Sequence, residues 1–478
     1  MRGWRLCLGA ALVAAVAAPA PVVAQDGLSP ADRQLARDIF RELIEINTTD
    51  SLGNTPRAAR AMAARLRVAG FPAADVQVLI GPDARHGNLV ARLRGSGTGG
   101  RPIVSLAHLD VVPARRSDWS VDPFTLLERD GYFYGRGTTD DKVGDAILVA
   151  DFIRLRREGF RPTRDLILAL TGDEETDGSC IQWLLKAHRD LVDAEFALNT
   201  DAGGGVLRDG RRVMFAVQAS EKVYATYVLE AVDKGGHSSL PRPAENPIYR
   251  LAPVLERLAH YQFPVKLNEV SRAFFEQSAA IETGQLADDM RGALKDPPDS
   301  AAVTRLSAVP FYNSKLRTTC VATMMDAGHA ENALPQSARA TVNCRILPGE
   351  PVAEVEATLR RLAADDRITI RTTYAPTPSP ASPLTPAIMG PIGRLVAEQF
   401  PSVPVVPFME AGATDGLFLR NAGIPTYGVS AVFEDQNDVR AHGRDERIRV
   451  ESFYEALQFW YRMMRVLAGA EKGERSAG

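Results

Sequence analysis

Residues 101–142, RPIVSLAHLDVVPARRSDWSVDPFTLLERDGYFYGRGTTDDK, contain the features that decide how this chain is organised. The segment opens with an apolar, strand-like run that ends in His108-Leu109-Asp110, and it closes with Asp140-Asp141-Lys142. Because alternate residues of a strand face the same way, His108 and Asp110 are predicted to share one face. A histidine whose second ring nitrogen is held by a nearby carboxylate is typical of a metal ligand. The segment therefore predicts part of a metal site at the end of a strand.

Strands and helices alternate on both sides of this segment. Apolar runs at 103–107, 165–170 and 196–199 predict buried strands, and helical periodicity covers 143–157 and 181–188. Strands that alternate with helices indicate an α/β sheet with parallel pairs. We therefore predict an α/β fold with a mixed, mostly parallel sheet flanked by helices, and sites at the carboxyl ends of its strands.

The pattern changes from about Ser220 onwards. Residues 223–374 show a strand-helix-strand-strand-helix-strand order, interrupted by an irregular and helical segment at 262–315. This order is the ferredoxin-like layout, which forms a two-layer α+β domain of its own. The proline-rich segment 376–386 is a natural linker, after which the first pattern resumes. We therefore predict that residues 25–219 and 377–478 form one catalytic domain, into which residues 220–376 are inserted.

Composition and charge describe a large globular protein with no preference for polyanions. The chain has 478 residues, of which 45% are hydrophobic and 24% are charged. That length and apolar content suit two or more domains with ample core. The net charge is −3 and no long basic run occurs, so nothing indicates nucleic acid or an anionic membrane surface as a partner.

The N-terminus has the pattern of a signal peptide. A short basic region, Met1–Arg5, precedes an apolar, alanine-rich run at Leu6–Pro19, and Val22-Val23-Ala24 offers small residues for cleavage. The alternative is a membrane anchor, but the run is shorter than the ~20 apolar residues that a span needs. We expect residues 1–24 to be removed and the mature chain to be periplasmic or secreted, without stable membrane insertion.

Export implies an oxidising compartment, in which cysteines are able to pair. Three cysteines remain after residue 24, so at most one internal bridge forms: Cys180, Cys320 and Cys344. Cys320 and Cys344 lie on two strand-like runs that are candidates for neighbours. Ordinary buried thiols are favoured here over a disulfide.

Clusters of acidic residues and histidines follow the predicted strands or lie in turns. Carboxylates together with imidazoles suit Zn²⁺ or a similar divalent ion, and two such ions bridged by one carboxylate would clamp a water and a carbonyl oxygen. Each cluster also has a structural explanation, as a helix cap, a solvated loop acid or an exposed loop histidine. Their common position at one sheet edge favours the site. The clusters are His108-Leu109-Asp110, Asp140-Asp141, Asp173-Glu174-Glu175, Asp201 and His442.

These motifs resemble the dinuclear-zinc metallopeptidase family that includes aminoacylase-1, carboxypeptidase G, carnosinase and carboxypeptidase S, peptidase family M20. The resemblance runs from about Ala31 to Ala468, and residues 119–142 are most similar to the carboxypeptidase S branch. It implies a zinc-peptidase-like catalytic domain and an inserted lid or dimerisation domain. The motifs that carry it are SLAHLDVVP, WSVDPFTLLERDGYFYGRGTTDDK, TGDEE, NTDAGG, GGHSS and AHGRDERI.

The resemblance implies two Zn²⁺ ions per chain, with Co²⁺ or Mn²⁺ as alternatives. One ion would be bound by His108 and Asp201 and the other by Glu175 and His442, while Asp140 would bridge both. Asp110 would orient His108, and Glu174 would be the general base that takes a proton from water. The family pattern also implies a cis bond between Asp140 and Asp141.

The resemblance also assigns residues that contact substrate. His237 corresponds to an oxyanion-stabilising histidine that is often supplied by the partner subunit of a dimer, which implies a homodimer through the inserted domain. The alternative is a turn histidine. Arg345 and Asn332 would bind a substrate carboxylate, with Gly412 and Thr414 lining the same pocket. An exposed strand residue is the alternative for Arg345.

The sequence therefore predicts an exported two-zinc amidohydrolase that cleaves a peptide or N-acyl amino acid bond next to a free carboxylate. Carboxypeptidase or dipeptidase activity is favoured, and an aminoacylase is the alternative within the same chemistry. A metal-dependent binding protein without catalysis would have lost the general base or a ligand, and all are present. A serine hydrolase lacks its Gly-x-Ser-x-Gly turn. Side-chain preference is expected to depend on the loops and on residues 262–315.

Overall fold

The computed structural model describes residues 27–469, so the predicted signal peptide at residues 1–24 lies outside the described residues. Within that range the strands form a ten-stranded mixed sheet, a four-stranded antiparallel sheet, and short sheets of three and two strands. The strands are β1 (Val76–Ile80), β2 (Gly87–Leu93), β3 (Ile103–His108), β4 (Leu127–Arg129), β5 (Tyr132–Tyr134), β6 (Leu166–Thr171), β7 (Phe196–Asn199), β8 (Gly204–Arg208), β9 (Arg211–Glu221), β10 (Val223–Val232), β11 (Gly236–His237), β12 (Thr319–Ala327), β13 (Ala333–Leu334), β14 (Ser337–Ile346), β15 (Ile368–Tyr374), β16 (Val405–Glu410), β17 (Thr426–Gly428), β18 (Phe433–Asp435) and β19 (Arg447–Arg449).

Helices cover both faces of the large sheet and one face of the small one. Among residues 27–469, no helix combines the length and the apolar character that a membrane span requires. The helices are α1 (Pro30–Glu45), α2 (Thr55–Val68), α3 (Lys142–Arg157), α4 (Ser179–Ala187), α5 (Arg189–Val192), α6 (Pro247–His260), α7 (Glu269–Ile281), α8 (Gly284–Ala293), α9 (Ser300–Ser307), α10 (Pro310–Leu316), α11 (Val352–Ala363), α12 (Pro386–Gln399), α13 (Gly416–Asn421) and α14 (Val450–Ala468).

The centre of the large sheet is parallel, as the alternation of strands and helices predicted. The strand order is β1-β2-β6-β3-β7-β17-β9-β8-β18, with β16 also paired to β9. Strands β6, β3, β7 and β17 run parallel to one another, whereas the pairs β1–β2, β2–β6, β17–β9 and β9–β8 are antiparallel. One face packs on α1, α2, α3, α12 and α14, and the other packs on α4, α5 and α13. Burial on both faces explains why β3 and β6 are almost continuously apolar.

The three central parallel strands bring distant loops to one edge of the sheet. β3 ends at His108, β6 ends just before the 172–175 loop, and β7 ends just before Thr200-Asp201. Because β6, β3 and β7 are adjacent and parallel, their carboxyl ends lie side by side.

The small sheet has the predicted ferredoxin-like order. Its strands are arranged β12-β14-β10-β15, and every pair is antiparallel. Alternate residues of β10 and β14 point into a core that α6 and α11 complete on one face. Part of the opposite face borders the cavity described below.

Helices α7–α10 lie within the predicted inserted segment 220–376 but pack on the large sheet. Phe274 and Phe275 of α7 share a core with Val406 and Phe408 of β16. Their sequence pattern shows that these helices have an apolar face, but not which sheet covers it. The domain boundaries themselves stay a prediction.

Cys320 and Cys344 form a disulfide bond between β12 and β14. The expectation of free buried thiols at these positions was wrong, because the two cysteines are paired directly opposite each other in the antiparallel register. That register follows from how the strands pair, which the spacing of the cysteines does not reveal. Cys180 is free and buried.

Candidate metal centre and substrate cavity

A cavity of about 790 Å³ lies between the carboxyl edge of the large sheet and the open face of the small sheet. From the small sheet it is lined by Tyr224, Arg345 and Tyr374, among others. No residue of the 262–315 segment lines it, so the expectation that this segment shapes the cavity was wrong. Those helices pack on strands β9 and β16 instead.

Five of the predicted residues form two groups that share one carboxylate. The first group is His108, Asp140 and Asp201, and the second is Asp140, Glu175 and His442. In each group the candidate ligand atoms all lie within 4.8 Å of one another. The two oxygens of Asp140 point in different directions: Oδ1 lies 3.0 Å from His108 Nε2, and Oδ2 lies 3.0 Å from His442 Nε2. This is the arrangement that a bridging ligand needs.

Asp110 holds two parts of this arrangement in place. The Nδ1 atom of His108 lies 3.1 Å from the backbone oxygen of Asp110 and 3.4 Å from its carboxylate, which leaves Nε2 facing Asp140. The same carboxylate accepts hydrogen bonds from the backbone N–H groups of Glu174 and Glu175. Asp110 therefore orients the ring of His108 and also fixes the loop after β6.

Glu174 lies beside the first group without belonging to either. Its Oε2 is 3.9 Å from His108 Nε2, and its side chain is 14% exposed at the cavity wall. Burial, reinforced by the charge of Asp201, raises the pKa of Glu174 well above its usual range. This position and this basicity suit a group that accepts a proton, and its role as general base stays a prediction.

The neighbouring carboxylates raise the pKa of both histidines in the two groups. Burial by itself would lower the pKa of His108, but hydrogen bonds to Asp110, Asp140 and Asp201 raise it well above its usual range. The carboxylates of Asp140 and Glu175 raise the pKa of His442 to about 10.

The pKa values of the acidic members of the groups shift in different directions. Burial raises the pKa of Asp201 well above its usual range and also raises that of Glu175. Burial would also raise the pKa of Asp140, but His108 and His442 hold it well below the usual range. A buried set of carboxylates and imidazoles is costly unless positive charge compensates it, so this donor set fits divalent cations.

The structural alternatives for these residues are not supported. Asp141 precedes α3, but its side chain makes no capping hydrogen bond and instead accepts one from Thr200 Oγ1 at 2.6 Å. The peptide bond between Asp140 and Asp141 is cis, as the resemblance implied. His442 does lie on an exposed loop, with its side chain 55% exposed, yet its ring contacts two carboxylates.

A model of the peptidase family M20/M25/M40 matches residues 104–466 of the sequence. The chain belongs to this family. It is therefore an enzyme, a metallohydrolase of the kind that cleaves peptides or N-acyl amino acids, and its two candidate ligand groups fit the use of metal ions. The recognition from motifs is thereby confirmed.

Curated relatives show the same family, and solved structures show the same fold. The human N-fatty-acyl-amino acid synthase/hydrolase PM20D1 is 31% identical, over 78% of this chain and 75% of its own length. The probable carboxypeptidase S-like 2 of Dictyostelium discoideum is 27% identical, over 79% and 74%. The fold is similar to that of an M20 metallo-carboxypeptidase from Sulfolobus solfataricus, with a TM-score of 0.68, 17% identity, and 91% and 99% of the two chains covered. Human carnosine dipeptidase 1 superposes with a TM-score of 0.65 and 16% identity, over 92% and 97% of the chains.

Three of the residues predicted to contact substrate line the cavity: Arg345, Gly412 and Thr414. Arg345 extends from β14, lies over the ring of Tyr224 at 4.5 Å and donates to the backbone oxygen of Ala411. Within residues 27–469 it has no carboxylate partner, so its guanidinium remains able to bind an anion. The hydroxyl of Thr414 instead donates to Glu221, which is paired with buried Arg420.

His237 and Asn332 do not reach the cavity of their own chain. His237 lies on the short strand β11, is exposed, and accepts a hydrogen bond from the backbone of Ser239. Asn332 lies next to it, since its backbone oxygen accepts the N–H of Ser238. The structure therefore brings these two residues together, but not to the metal groups.

Sequence reasoning missed Glu446 and Arg136, which form a buried ion pair behind the metal groups. Both lie within the motifs that carried the resemblance, in AHGRDERI and YGRGTTDDK. A buried charged residue has no distinctive local sequence pattern. Its position in the structure is revealed only by its long-range partner.

Proposed function

We propose that this chain is an exported two-zinc amidohydrolase that cleaves a peptide or N-acyl amino acid bond next to a free carboxylate. The observation that carries the proposal is the pair of ligand groups that share Asp140 at the base of the cavity. His108 and Asp201 would hold one ion, and Glu175 and His442 the other. Mixed nitrogen and oxygen donors favour Zn²⁺, with Co²⁺ or Mn²⁺ as alternatives. Export rests on the sequence of residues 1–24.

The residues around the groups supply the rest of the chemistry. When bound, the two ions would acidify a water molecule and polarise the carbonyl of the scissile bond. Glu174 accepts the proton of that water and returns it to the leaving amine. Asp110 keeps Glu174 in place through the backbone hydrogen bond at 3.1 Å.

Recognition of the substrate carboxylate falls to Arg345. Its guanidinium is held over Tyr224 at the cavity wall and presents N–H groups that match the two oxygens of a carboxylate. Because Arg345 is anchored to Ala411 on the large-sheet side, it also joins the two walls of the cavity. Peptides with a free C-terminus and N-acyl amino acids both present such a carboxylate.

His237 is proposed to act in a homodimer that forms through the inserted domain. Its exposed place on β11, away from the cavity of its own chain, is what a residue needs to reach a partner's site. There it would donate a hydrogen bond to the oxygen on which negative charge develops. Asn332 lies beside it and would approach the same substrate.

Carboxypeptidase or dipeptidase activity is the first candidate, and hydrolysis of N-acyl amino acids is the second. Relatives and structural neighbours include proteins named for both activities. The cavity lining keeps the second candidate: Val223, Tyr224, Tyr374 and Phe418 give it an apolar wall that suits an acyl chain as well as an apolar amino-acid side chain.

A hydrolysis panel tests this proposal. Dipeptides, longer peptides and N-acyl amino acids would be supplied with zinc, each beside the same compound carrying a C-terminal amide in place of the carboxylate. We expect cleavage of the free acids, little cleavage of the amides, and loss of activity with a chelator followed by recovery with zinc. Activity that survives complete removal of metal would contradict the two-zinc mechanism, and equal cleavage of the amides would contradict recognition of the carboxylate.

A further inference from the structure

The side chain of His442 has few contacts, although its loop is joined to Ser120 through Asp445 and is braced internally by Arg440 and Asp438. The side chain of His442 is 55% exposed, and among residues 27–469 its ring forms polar contacts only with the carboxylates of Asp140 and Glu175. Its backbone adopts a φ of 61°, in the left-handed region that non-glycine residues avoid. A residue in that conformation persists only where its surroundings hold it. Something other than the imidazole must therefore keep this loop beside Asp140.

Glu446 makes that connection from inside the protein. Its side chain is fully buried, and its Oε1 accepts hydrogen bonds from the backbone N–H of Thr139 at 2.7 Å and of Asp140 at 3.3 Å. The carboxylate also accepts the N–H of Gly137 and the hydroxyl of Thr139. The Glu446 side chain, which comes from the His442 loop, thus accepts hydrogen bonds from several donors of the turn that contains Asp140.

Arg136 completes the connection from the opposite direction. Its Nη1 lies 2.5 Å from Glu446 Oε2, and its Nη2 donates to the backbone oxygen of Gly443 at 3.0 Å. Its guanidinium also lies 5.1 Å from the ring centre of Trp119. Arg136 comes from the Asp140 turn and Gly443 is the neighbour of His442, so each loop sends a charged side chain into the other.

The two metal groups differ in how much they depend on this link. His108 and Asp201 follow the adjacent parallel strands β3 and β7, whose backbone pairing fixes their separation. Glu175 is fixed by Asp110. Arg136 and Glu446 join the turn of Asp140 to the loop of His442, and only the second group contains both of these ligands.

We propose that the buried Arg136–Glu446 pair is a clasp that positions His442 against Asp140 and thereby sets the affinity of the second group for its metal ion. The inference rests on the metal-binding part of the proposed function. Both residues are positioning residues, because neither lines the cavity. Changes to the residues that orient metal ligands typically weaken metal binding ~10–100-fold.

The test is a metal titration of Glu446→Gln against a competing chelator, which needs no substrate. The amide keeps the size of the side chain but loses its charge and presents an N–H₂ group to donors. We expect one of the two ions to bind ~10–100-fold more weakly, and the other, whose group shares only Asp140 with the pair, to be weakened less. Absorption of the Co²⁺-loaded protein would show the same asymmetry as the loss of one of two spectral components.

Two further variants keep the result interpretable. Arg136→Lys replaces Glu446→Gln as the test if the latter folds poorly. It keeps the positive charge but loses the second contact, to Gly443, so it should weaken binding of the same ion to a smaller degree. Asp32→Asn is the matched control, because Asp32 is a buried ion-pair partner of Arg154 and Arg157, none of which lines the cavity. It should lower the melting temperature without changing either metal affinity.

A double-mutant cycle identifies which ion responds. In a His442→Ala background, Glu446→Gln should weaken metal binding much less than it does in the wild-type chain, because the ligand it positions is already gone. Equal weakening of both ions, no change in either, or full additivity with His442→Ala would overturn the clasp. If the wild-type chain binds two ions and hydrolyses its substrate, such a result contradicts the clasp but not the proposed function. A wild-type chain that binds no pair of ions overturns the proposed function as well.

Discussion

At the residue scale, the backbone N–H groups of Glu174 and Glu175 both donate to the carboxylate of Asp110, at 3.1 and 3.0 Å. The same residue faces Nδ1 of His108, so that one buried side chain aligns a candidate ligand on β3 with the loop after β6. Adjacent glutamates on one loop are thereby given different places. Both line the cavity, but Glu175 points to His442, whereas Glu174 lies beside His108.

Glu174→Ala should abolish most hydrolysis while zinc content stays near two per chain. Glu174 belongs to neither ligand group, so its loss removes the proton acceptor without removing a ligand. Positioned acid–base groups contribute ~10²–10⁴-fold to the rate, and we expect kcat to fall by that factor. Steady-state kinetics and metal analysis measure the two quantities, with the exposed Glu256→Ala on α6 as a control. Undiminished turnover would remove Glu174 from the mechanism.

At the element scale, the disulfide joins the edge strand β12 to β14, whose Arg345 borders the cavity. Replacing both Cys320 and Cys344 with alanine should lower the free energy of unfolding by ~2–4 kcal/mol, because the cross-link restricts the unfolded chain. Urea unfolding with and without a reductant measures the effect. The reductant should destabilise the wild-type chain by a similar amount and leave the double variant unchanged. A reductant effect on the double variant would show that the loss does not come from this bond.

A second element-scale prediction concerns Lys222, which lies between β9 and β10 where the chain passes from the large sheet to the small one. Its ammonium is buried and donates to the backbone oxygen of Arg317 at 2.7 Å. Burial, together with the charges of Lys315 and Arg345, lowers its pKa from 10.5 to about 7. Between pH 7 and 10.5 the unfolded chain therefore binds more protons at this site than the folded chain does. The contribution of Lys222 to the free energy of unfolding consequently rises with pH across this window.

Lys222→Met should remove that part of the pH dependence. Urea unfolding at several values between pH 7 and 9.5 would give a shallower rise for the variant than for the wild-type chain. The slope is the readout, since the variant also loses a hydrogen bond at every pH. The exposed Lys295→Met should keep the wild-type slope. Parallel curves for Lys222→Met and wild type would contradict the assignment.

At the scale of the whole molecule, the site is built from both sheets and, in the proposed homodimer, from both chains. Chains with His237→Ala and chains with Glu174→Ala should each be inactive, whereas mixtures should regain about a quarter of wild-type activity. Half of the dimers would be mixed, and each mixed dimer would hold one intact site if His237 acts on its partner. Native mass measurement would verify that mixed dimers form. Mixed dimers without recovered activity would show that His237 does not act across the interface.

The sequence by itself was enough to predict the α/β fold, the ferredoxin-like strand order of the small sheet and the family. Buried parallel strands such as β3 and β6 are continuous apolar runs, and the residues that follow them are polar, so local pattern marks both the strand and its functional end. The clusters that contain His108 and Asp201 could be named for that reason, whereas Asp140 lies in a turn and the roles as ligands were implied by the family resemblance. Their meeting at one edge follows from parallel pairing, which the strand–helix alternation already indicates.

Only the tertiary structure decided what each of the remaining elements packs against. Helices α7–α10 show an apolar face in the sequence, but β16 of the large sheet covers it, away from the cavity. Strand register placed Cys320 opposite Cys344, and long-range folding placed Glu446 beneath the Asp140 turn and His237 outside the cavity of its own chain. The periodicity of apolar residues shows which side of a helix or strand is buried, because each apolar residue marks burial at its own position. It carries no record of the partner, since the hydrophobic effect has no direction and any complementary apolar surface satisfies it equally well.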